Sequence, residues 1–324
     1  MKDFSPSVET MRTLKVLMKQ SFFRHLIYFV FNWSLIAALI FASESFLSWQ
    51  SYVFVAFLIA ARQHALAVLV HDGAHYRIAK NKKLNDWVSN IFGSFGCIMG
   101  THAYRLHHLK HHQYLNTAKD PDWARKSHLN EWQFPMTKMK LAKILLKQLW
   151  SGGYEWLTLT SRMFIQGMKL DSVDKRKSES QALAFFWLGI FISSLYFHFG
   201  RELALYWFVP LFTIFPLIQR FRSISDHFAV TRDQILGLTR NVQSSGLERF
   251  LLSPHSVNWH LVHHLYPSIS HYNLKRAHQV LSKGEASYLE SQHLNTAYIF
   301  PFQNSVLSDL LRKPKELRAF SKAA

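Results

Sequence analysis

The amino-acid sequence predicts an all-α integral membrane protein, and three observations indicate this class. Hydrophobic residues make up 49% of the 324 residues and aromatic residues 15%, which is high for a soluble protein. Long apolar stretches occur in two closely spaced pairs, and about 20 apolar residues suffice for a helix to cross a bilayer. Histidines recur at helical spacing beside these stretches. We therefore predict a single domain, 1–324, in which four transmembrane helices form two hairpins. A cytoplasmic helical cap, about 71–180 and 220–324, carries a di-metal histidine site.

Apolar composition defines the four predicted spans. They lie at about 25–42, 46–70, 181–199 and 203–219. The first pair is joined by the short polar link Ser43–Ser45 and the second pair by 200–202. Pro210 and Pro216 interrupt the last span, which a membrane helix tolerates where neighbouring groups restore the hydrogen bonding.

Basic residues flank the spans mainly on one side. They are Arg12, Lys15, Lys19, Arg24, Lys169, Lys175, Arg176, Lys177, Arg220 and Arg222. The opposite links contain a single basic residue, Arg201, so the positive-inside rule places both termini and the cap in the cytoplasm. The expected location is the inner membrane of a bacterium. Loops that face anionic lipid also account for the net charge of +18, so we expect no nucleic-acid partner.

Three further segments have distinct expectations. Trp87–Tyr104 is apolar but short and broken by glycines, which predicts a buried or re-entrant segment and not a fifth crossing. Met139–Trp150 and Val8–Leu17 are amphipathic, so each is either a helix in the membrane interface or a helix packed on the cap. The single cysteine, Cys97, excludes an intramolecular disulfide and a thiolate metal cage.

Nine histidines form the candidate metal site. They are His71 and His75 (box one), His108, His111 and His112 (box two), the lone His227, and His260, His263 and His264 (box three). Residues three and four apart share one face of a helix, so each box projects its rings into a small volume. Imidazole is a good ligand for iron, zinc, copper and nickel. Eight or nine converging rings can therefore hold two metals without a carboxylate.

Span length predicts that these histidines meet in one layer. His71 lies 24 residues after Leu47 (71 − 47), and His227 lies 24 residues after Leu203 (227 − 203). At about 1.5 Å per residue both distances are roughly 36 Å, slightly more than the ~30 Å hydrocarbon core. Both side chains are thus expected just beyond the cytoplasmic membrane face. The additional residues His64, His102 and His107 are expected to be hydrogen-bonded or pocket-lining residues and not ligands.

The boxes resemble those of the membrane fatty acid desaturase family. The matching motifs are HDGAH, RLHHLKHH followed by Asn116 and Asp120–Asp122, and PHSVNWHLVHHLYP, within about Arg62 to Leu281. The resemblance implies that all nine histidines share two non-haem iron ions, with dioxygen as co-substrate. It implies desaturation of a lipid or fatty acyl chain and a separate electron donor similar to ferredoxin, rubredoxin or cytochrome b5.

Two sets of residues are candidates for supporting roles, each with a structural alternative. Asp72, Asp120, Asp122, Asp226 and Asn258 either accept hydrogen bonds from ligand imidazoles or serve as helix caps and surface ion pairs. Lys80, Lys82, Lys83, Arg125 and Lys126 either dock an acidic electron donor or form a solvated or lipid-facing patch.

Other functions fit the same boxes less well. A hydroxylase or ketolase of a carotenoid, alkane or other lipid would use the same ligands. A metal transporter is a remote alternative, because transporters place their ligands near the membrane midplane and these histidines lie beyond the membrane face.

Overall fold

The computed structural model describes residues 4–46, 48–167, 173–231 and 235–311, and these are mainly helical. The α-helices are Val8–Leu17, Phe22–Phe46, Trp49–Ala74, Lys82–Ser89, Thr101–Gln113, Pro121–Lys126, Lys138–Gly167, Val173–Tyr196, Gly200–Glu202, Val209–Phe212, Ile214–His227, Gly246–Leu252, His260–Leu265, Leu274–Gly284, Ala286–Ser291 and Val306–Leu311, with short π or 3₁₀ turns at Asn90–Ser94, Asn130–Trp132, Leu203–Phe208, Ile235–Gly237, Pro254–Ser256 and His271–Asn273. One two-stranded parallel sheet within the described residues departs from an all-α fold; it pairs Arg240–Val242 with His293–Asn295.

The first predicted hairpin corresponds to two long helices, Phe22–Phe46 and Trp49–Ala74. Both are long and apolar enough to cross a membrane. Ser48 caps the second helix, because its side chain accepts a hydrogen bond from the backbone of Ser51 and Ser51 returns one. This helix continues past the predicted end at 70 and carries His71 on its last turn, so box one extends the span without a break.

The second predicted pair differs in its boundaries. The helix Val173–Tyr196 begins earlier than predicted and ends at Tyr196, so the turn lies at 197–199, where the prediction had placed it at 200–202. The following segment, Gly200–His227, is long and apolar enough to span, with a π-helical turn at Leu203–Phe208.

Three helices among the described residues therefore meet the length and composition of a membrane span, which indicates a membrane protein. Val173–Tyr196 is not one of them. Lys169, assigned to the cytoplasmic side from the sequence, and Leu47, from which the rise to His71 was counted, lie outside the described residues.

The described chain forms two compact units, each made of separate stretches of sequence. The cap unit is drawn from Met1–Gln20, Lys110–Ile144 and Arg220–Ala324. The hairpin unit is drawn from Ser21–Leu109 and Leu145–Gln219.

The N-terminal helix Val8–Leu17 packs inside the cap unit. Leu14 is fully buried and Leu17 nearly so, in a core with Trp259, Leu261 and Val262 around box three. Of the two alternatives for this helix, the packed helix is therefore correct, because its apolar face has a protein partner.

In the hairpin unit, Val55 and Ile59 pack with Tyr206 as a second core. The segment predicted to be buried, Trp87–Tyr104, begins in the last turn of the helix Lys82–Ser89 and includes the buried residues Phe95 and Cys97, so it does not form a long span. The helix Lys138–Gly167 continues well past the end of the amphipathic segment Met139–Trp150 that the sequence indicates.

Candidate metal centre

Box one lies at the end of the Trp49–Ala74 helix. His71 occupies the last turn and His75 the C-cap, where its backbone N–H donates to the carbonyl of His71 at 3.4 Å. Gly73 between them allows close packing, since a Cβ atom there would lie 2.4 Å from Oγ of Ser89. The glycine of the HDGAH motif thus lets the helix Lys82–Ser89 approach box one.

His108 joins box one within the hairpin unit. Its Nε2 atom lies 3.0 Å from Nε2 of His75, and its ring centroid lies 4.5 Å from that of His71. One ligand nitrogen from each of these three side chains lies within 4.8 Å of the others. Burial lowers the pKa of His75 to about 3, so this imidazole stays neutral, which is the form that binds metal.

The carboxylate of Glu179, which is distant in the chain, caps the first turn of the box-two helix, Thr101–Gln113. Glu179 accepts hydrogen bonds from the backbone N–H groups of His102 at 2.8 Å and Ala103 at 3.1 Å. These groups are first-turn donors that the helix cannot satisfy internally, and a negative charge is favourable there. A Cβ atom at Gly100 would lie 2.3 Å from the Glu179 carboxylate, so glycine keeps this position open.

Three histidines of the cap unit form a second group. His111, His227 and His264 each offer a ligand nitrogen within 4.8 Å of the others. His260 joins them, because its Nε2 atom lies 3.0 Å from Nε2 of both His227 and His264. Burial, with smaller contributions from neighbouring histidines, holds the pKa of His264 well below its ordinary value.

The remaining two predicted ligands are paired within the cap unit. Nε2 of His112 lies 2.9 Å from Nε2 of His263. Each of the nine predicted histidines therefore approaches at least one other, three of them in the hairpin unit and six in the cap unit.

The donor set fits a metal of the first transition series. Facing Nε2 atoms lie 2.9 to 3.0 Å apart, at His112–His263 and His75–His108. Since metal–nitrogen bonds are about 2.1 Å long, as in zinc–histidine sites, the two nitrogens of each pair are close enough to be held by one ion. Neutral imidazoles are suitable ligands for such an ion.

Asp120 is the predicted carboxylate that reaches a ligand histidine most directly. Its Oδ2 atom accepts a hydrogen bond from Nδ1 of His111 at 2.9 Å and another from the backbone of Asn116 at 3.0 Å. Oδ1 caps the helix Pro121–Lys126 through the backbone N–H of Asp122. Fixing Nδ1 leaves Nε2 of His111 for a metal.

The other proposed supporting residues have different partners. Asp72 contacts Nε2 of the buried His25 at 3.0 Å, and Asn258 donates to the carbonyl of Val242 at 2.6 Å. Asp226 pairs with Arg222 at 2.8 Å and lies 3.9 Å from Nδ1 of His260, beyond hydrogen-bonding distance.

Lys126 does not belong to a surface patch, contrary to both expectations from the sequence. Only 7% of the residue is exposed, and its ammonium group pairs with Asp122 at 2.8 Å. Arg125 is half-buried and also pairs with Asp122, whereas Lys80, Lys82 and Lys83 are exposed.

The extra histidines stand apart from the ligand groups. His64 is buried in the Trp49–Ala74 helix, while His102 and His107 are half-buried. Within the part of the chain that the structure describes, none of the three joins a cluster of potential ligand atoms within 4.8 Å.

Comparison with known proteins decides the family. A model of the fatty acid desaturase family matches residues 47–293, a range that includes all nine histidines. The chain belongs to the fatty acid desaturase family. Dihydrorhizobitoxine desaturase from Bradyrhizobium elkanii is 29% identical over 268 residues, which cover 78% of this chain and 74% of that protein. The resemblance drawn from the histidine boxes is thereby confirmed.

Proposed function

We propose that this desaturase uses dioxygen to introduce a double bond into a lipid or fatty acyl chain. The observation that carries the proposal is that predicted ligand nitrogens cluster within each unit: those of His71, His75 and His108 in the hairpin unit, and those of His111, His227 and His264 in the cap unit. Family membership and the name of the similar desaturase support removal of hydrogen over insertion of oxygen.

The chemistry requires a redox cofactor. Side-chain acids and bases cannot break an unactivated alkyl C–H bond, so a cofactor must supply the oxidising power. We propose two iron ions, which would activate dioxygen when bound by the nine histidines. The protein would hold His75 and His264 neutral by burial, orient His111 through Asp120, and keep water away from the reacting chain.

The membrane arrangement proposed here has four spans in two hairpins, with the termini and the histidines on the cytoplasmic side. Cysteine labelling in a Cys97→Ser background tests it, at the exposed positions 80 and 119 on one side and 201 on the other. Labelling of all three positions from one side would contradict the topology. The exposed cations Lys80, Lys82 and Lys83 are the proposed docking surface for a separate, acidic electron donor protein.

The decisive experiment combines metal analysis with product analysis. Purified, iron-supplemented protein should contain two irons per chain and consume dioxygen when a reductant is supplied. Zinc can displace iron on overexpression, because zinc follows Fe²⁺ in the affinity order, so both metals need to be measured. Mass spectrometry of lipids from cells with and without the protein should show loss of two hydrogens. Gain of oxygen would indicate a hydroxylase or ketolase, and trace metal in folded protein would refute the proposal.

A further inference from the structure

The cap unit contains a buried lysine that the proposed metal site does not use as a ligand. Nζ of Lys126 lies 2.8 Å from Oδ1 of Asp122 and 2.8 Å from Oγ of Ser223. The ammonium also lies 5.1 Å from the ring centroid of Trp132. Lysine is rarely buried, since desolvating its charge is unfavourable without close partners. These three partners explain how the charge is accommodated.

Ser223, the acceptor of this lysine's hydrogen bond, lies on the same helix as His227. It precedes His227 by four residues on the helix Ile214–His227, so both side chains lie on one face of that helix. His227 in turn lies 4.7 Å, between ring centroids, from His111. The hydroxyl that receives the lysine's hydrogen bond is therefore one helical turn from the histidine group of the cap unit.

Asp122 connects the same lysine to solvent. Its side chain is 28% exposed, whereas that of Lys126 is 9% exposed. A continuous line of hydrogen bonds thus runs from a partly exposed carboxylate, through a buried ammonium, to the hydroxyl of Ser223. A hydroxyl both donates and accepts, so it can receive one proton and release another.

Electrostatics favour proton release from this position. Burial lowers the pKa of Lys126, and the charge of Arg125 acts in the same direction, while Asp122 and Asp120 offset part of the effect. The neutral amine is therefore more accessible than for a lysine in water.

We propose that Lys126 is a proton-relay residue that supplies protons through Ser223 toward the His111–His227–His264 group, where iron, when bound, would reduce dioxygen. The inference rests on the proposed desaturase function. Converting one dioxygen to two waters takes two hydrogens from the substrate, two electrons from the external donor and two protons from solvent. An N–H bond of Lys126 breaks, its proton passes to Oγ of Ser223, and Ser223 releases its own hydroxyl proton toward the histidine group, where the reduction of dioxygen would consume it. Lys126 then regains a proton from solvent at Asp122.

Matched variants separate proton transfer from a structural role. Lys126→Arg keeps a cation and hydrogen-bond donors but does not release a proton in proteins. Lys126→Met removes both the charge and the donors. Ser223→Ala removes the relay hydroxyl, and Ser223→Thr keeps it. The full-length, iron-loaded proteins are compared for iron per chain, melting temperature and desaturated product formed per dioxygen consumed.

Lys126→Arg and Ser223→Ala should keep their iron and melting temperature but lose about tenfold or more in product per dioxygen, within the range of general acid catalysis. Ser223→Thr should resemble the parent protein. In zinc-loaded protein, the NMR resonance of the Lys126 Nζ group is identified by its loss in Lys126→Arg. This resonance should titrate at a lower pH than those of the other lysines.

Three results would overturn the relay. The first is that Lys126→Arg forms as much product per dioxygen consumed as the parent protein, and the second is the same result for Ser223→Ala. The third is an ordinary lysine titration for Lys126. Absence of double-bond formation by the iron-loaded parent protein would instead refute the proposed function itself, so the two failures are distinguishable.

Discussion

Nδ1 of His111 donates a hydrogen bond to Oδ2 of Asp120 across 2.9 Å, and both side chains are buried. The carboxylate also accepts from the backbone of Asn116 and caps the next helix, so it is held independently of the histidine. The imidazole is consequently fixed with one defined nitrogen available to a metal.

Asp120→Asn should weaken metal binding by about 10- to 100-fold, the usual effect of removing such support from a ligand histidine. Asparagine is a good N-cap residue, so the helix Pro121–Lys126 should persist. Metal titration of the purified variant measures the loss. Asp122→Asn, two residues further along and paired with Lys126, should keep its metal affinity; an equal loss in both variants would contradict a specific role for Asp120.

His227→Ala should lower bound iron and abolish activity, because Nε2 of His227 faces Nε2 of His260 at 3.0 Å. His107→Ala should keep most of its iron and measurable activity, because His107 lies outside the ligand groups of the described residues. Iron content and turnover of the two membrane-inserted variants are measured side by side. The ligand set is wrong if His227→Ala keeps both irons while His107→Ala loses one.

Glu179→Ala should destabilise the protein by about 1 kcal/mol, a typical value for loss of a helix cap, since two first-turn N–H groups lose their acceptor. Gly100→Ala should have a similar effect, because its Cβ atom would displace the same carboxylate. Thermal unfolding measures both. In the Glu179→Ala background, Gly100→Ala should cost less than in the parent protein, because only its contact with Cζ of Phe164, at 2.9 Å, then remains. Fully additive losses would argue against a shared cause.

Arg240→Met should destabilise the protein by roughly 3–5 kcal/mol, because it leaves the Asp309 carboxylate buried without its cation. The two groups lie 3.0 Å apart, and the Arg240 side chain is fully buried. Its guanidinium also donates to the carbonyls of Phe228 and Ala229, which follow His227 directly. Denaturant unfolding should show that Asp309→Asn recovers part of the loss in the double variant. No recovery would mean that the ion pair is not the cause.

The same carboxyl group predicts how stability depends on pH. Burial alone raises the pKa of Asp309, but the hydrogen bond from His293 and the charge of Arg240 outweigh it and hold the pKa below its ordinary value. Its contribution is therefore fully present above the unfolded-state pKa, about 3.9, and is lost as pH falls below it. The melting temperature should fall more steeply below about pH 4 in the parent protein than in Asp309→Asn.

Local spacing made the histidine clusters predictable from the sequence, whereas contacts between distant parts of the chain were not predictable. His71 and His75, or His260 and His264, can be read from the sequence because helical periodicity places residues four apart on one face. Glu179 and its backbone partner at His102 are 77 residues apart, and no local pattern links them.

Burial was the other property that the sequence did not disclose. Lys126 was assigned as one of several surface cations because charge alone does not distinguish an exposed lysine from one enclosed by Asp122, Ser223 and Trp132. The link between the second pair of helices lies at 197–199 and not at the predicted 200–202, because Gly200 begins a helix instead of ending one.

The contact between His112 and His263 joins positions 151 residues apart in the chain. Closing a flexible loop of that length costs about 4 kcal/mol of chain entropy by the logarithmic relation for loop closure. An ion bound by both imidazoles would act as a cross-link that offsets this cost. The lifetime of the protein in a cell is therefore expected to depend on iron supply, and chains made during iron starvation should be degraded faster than loaded ones.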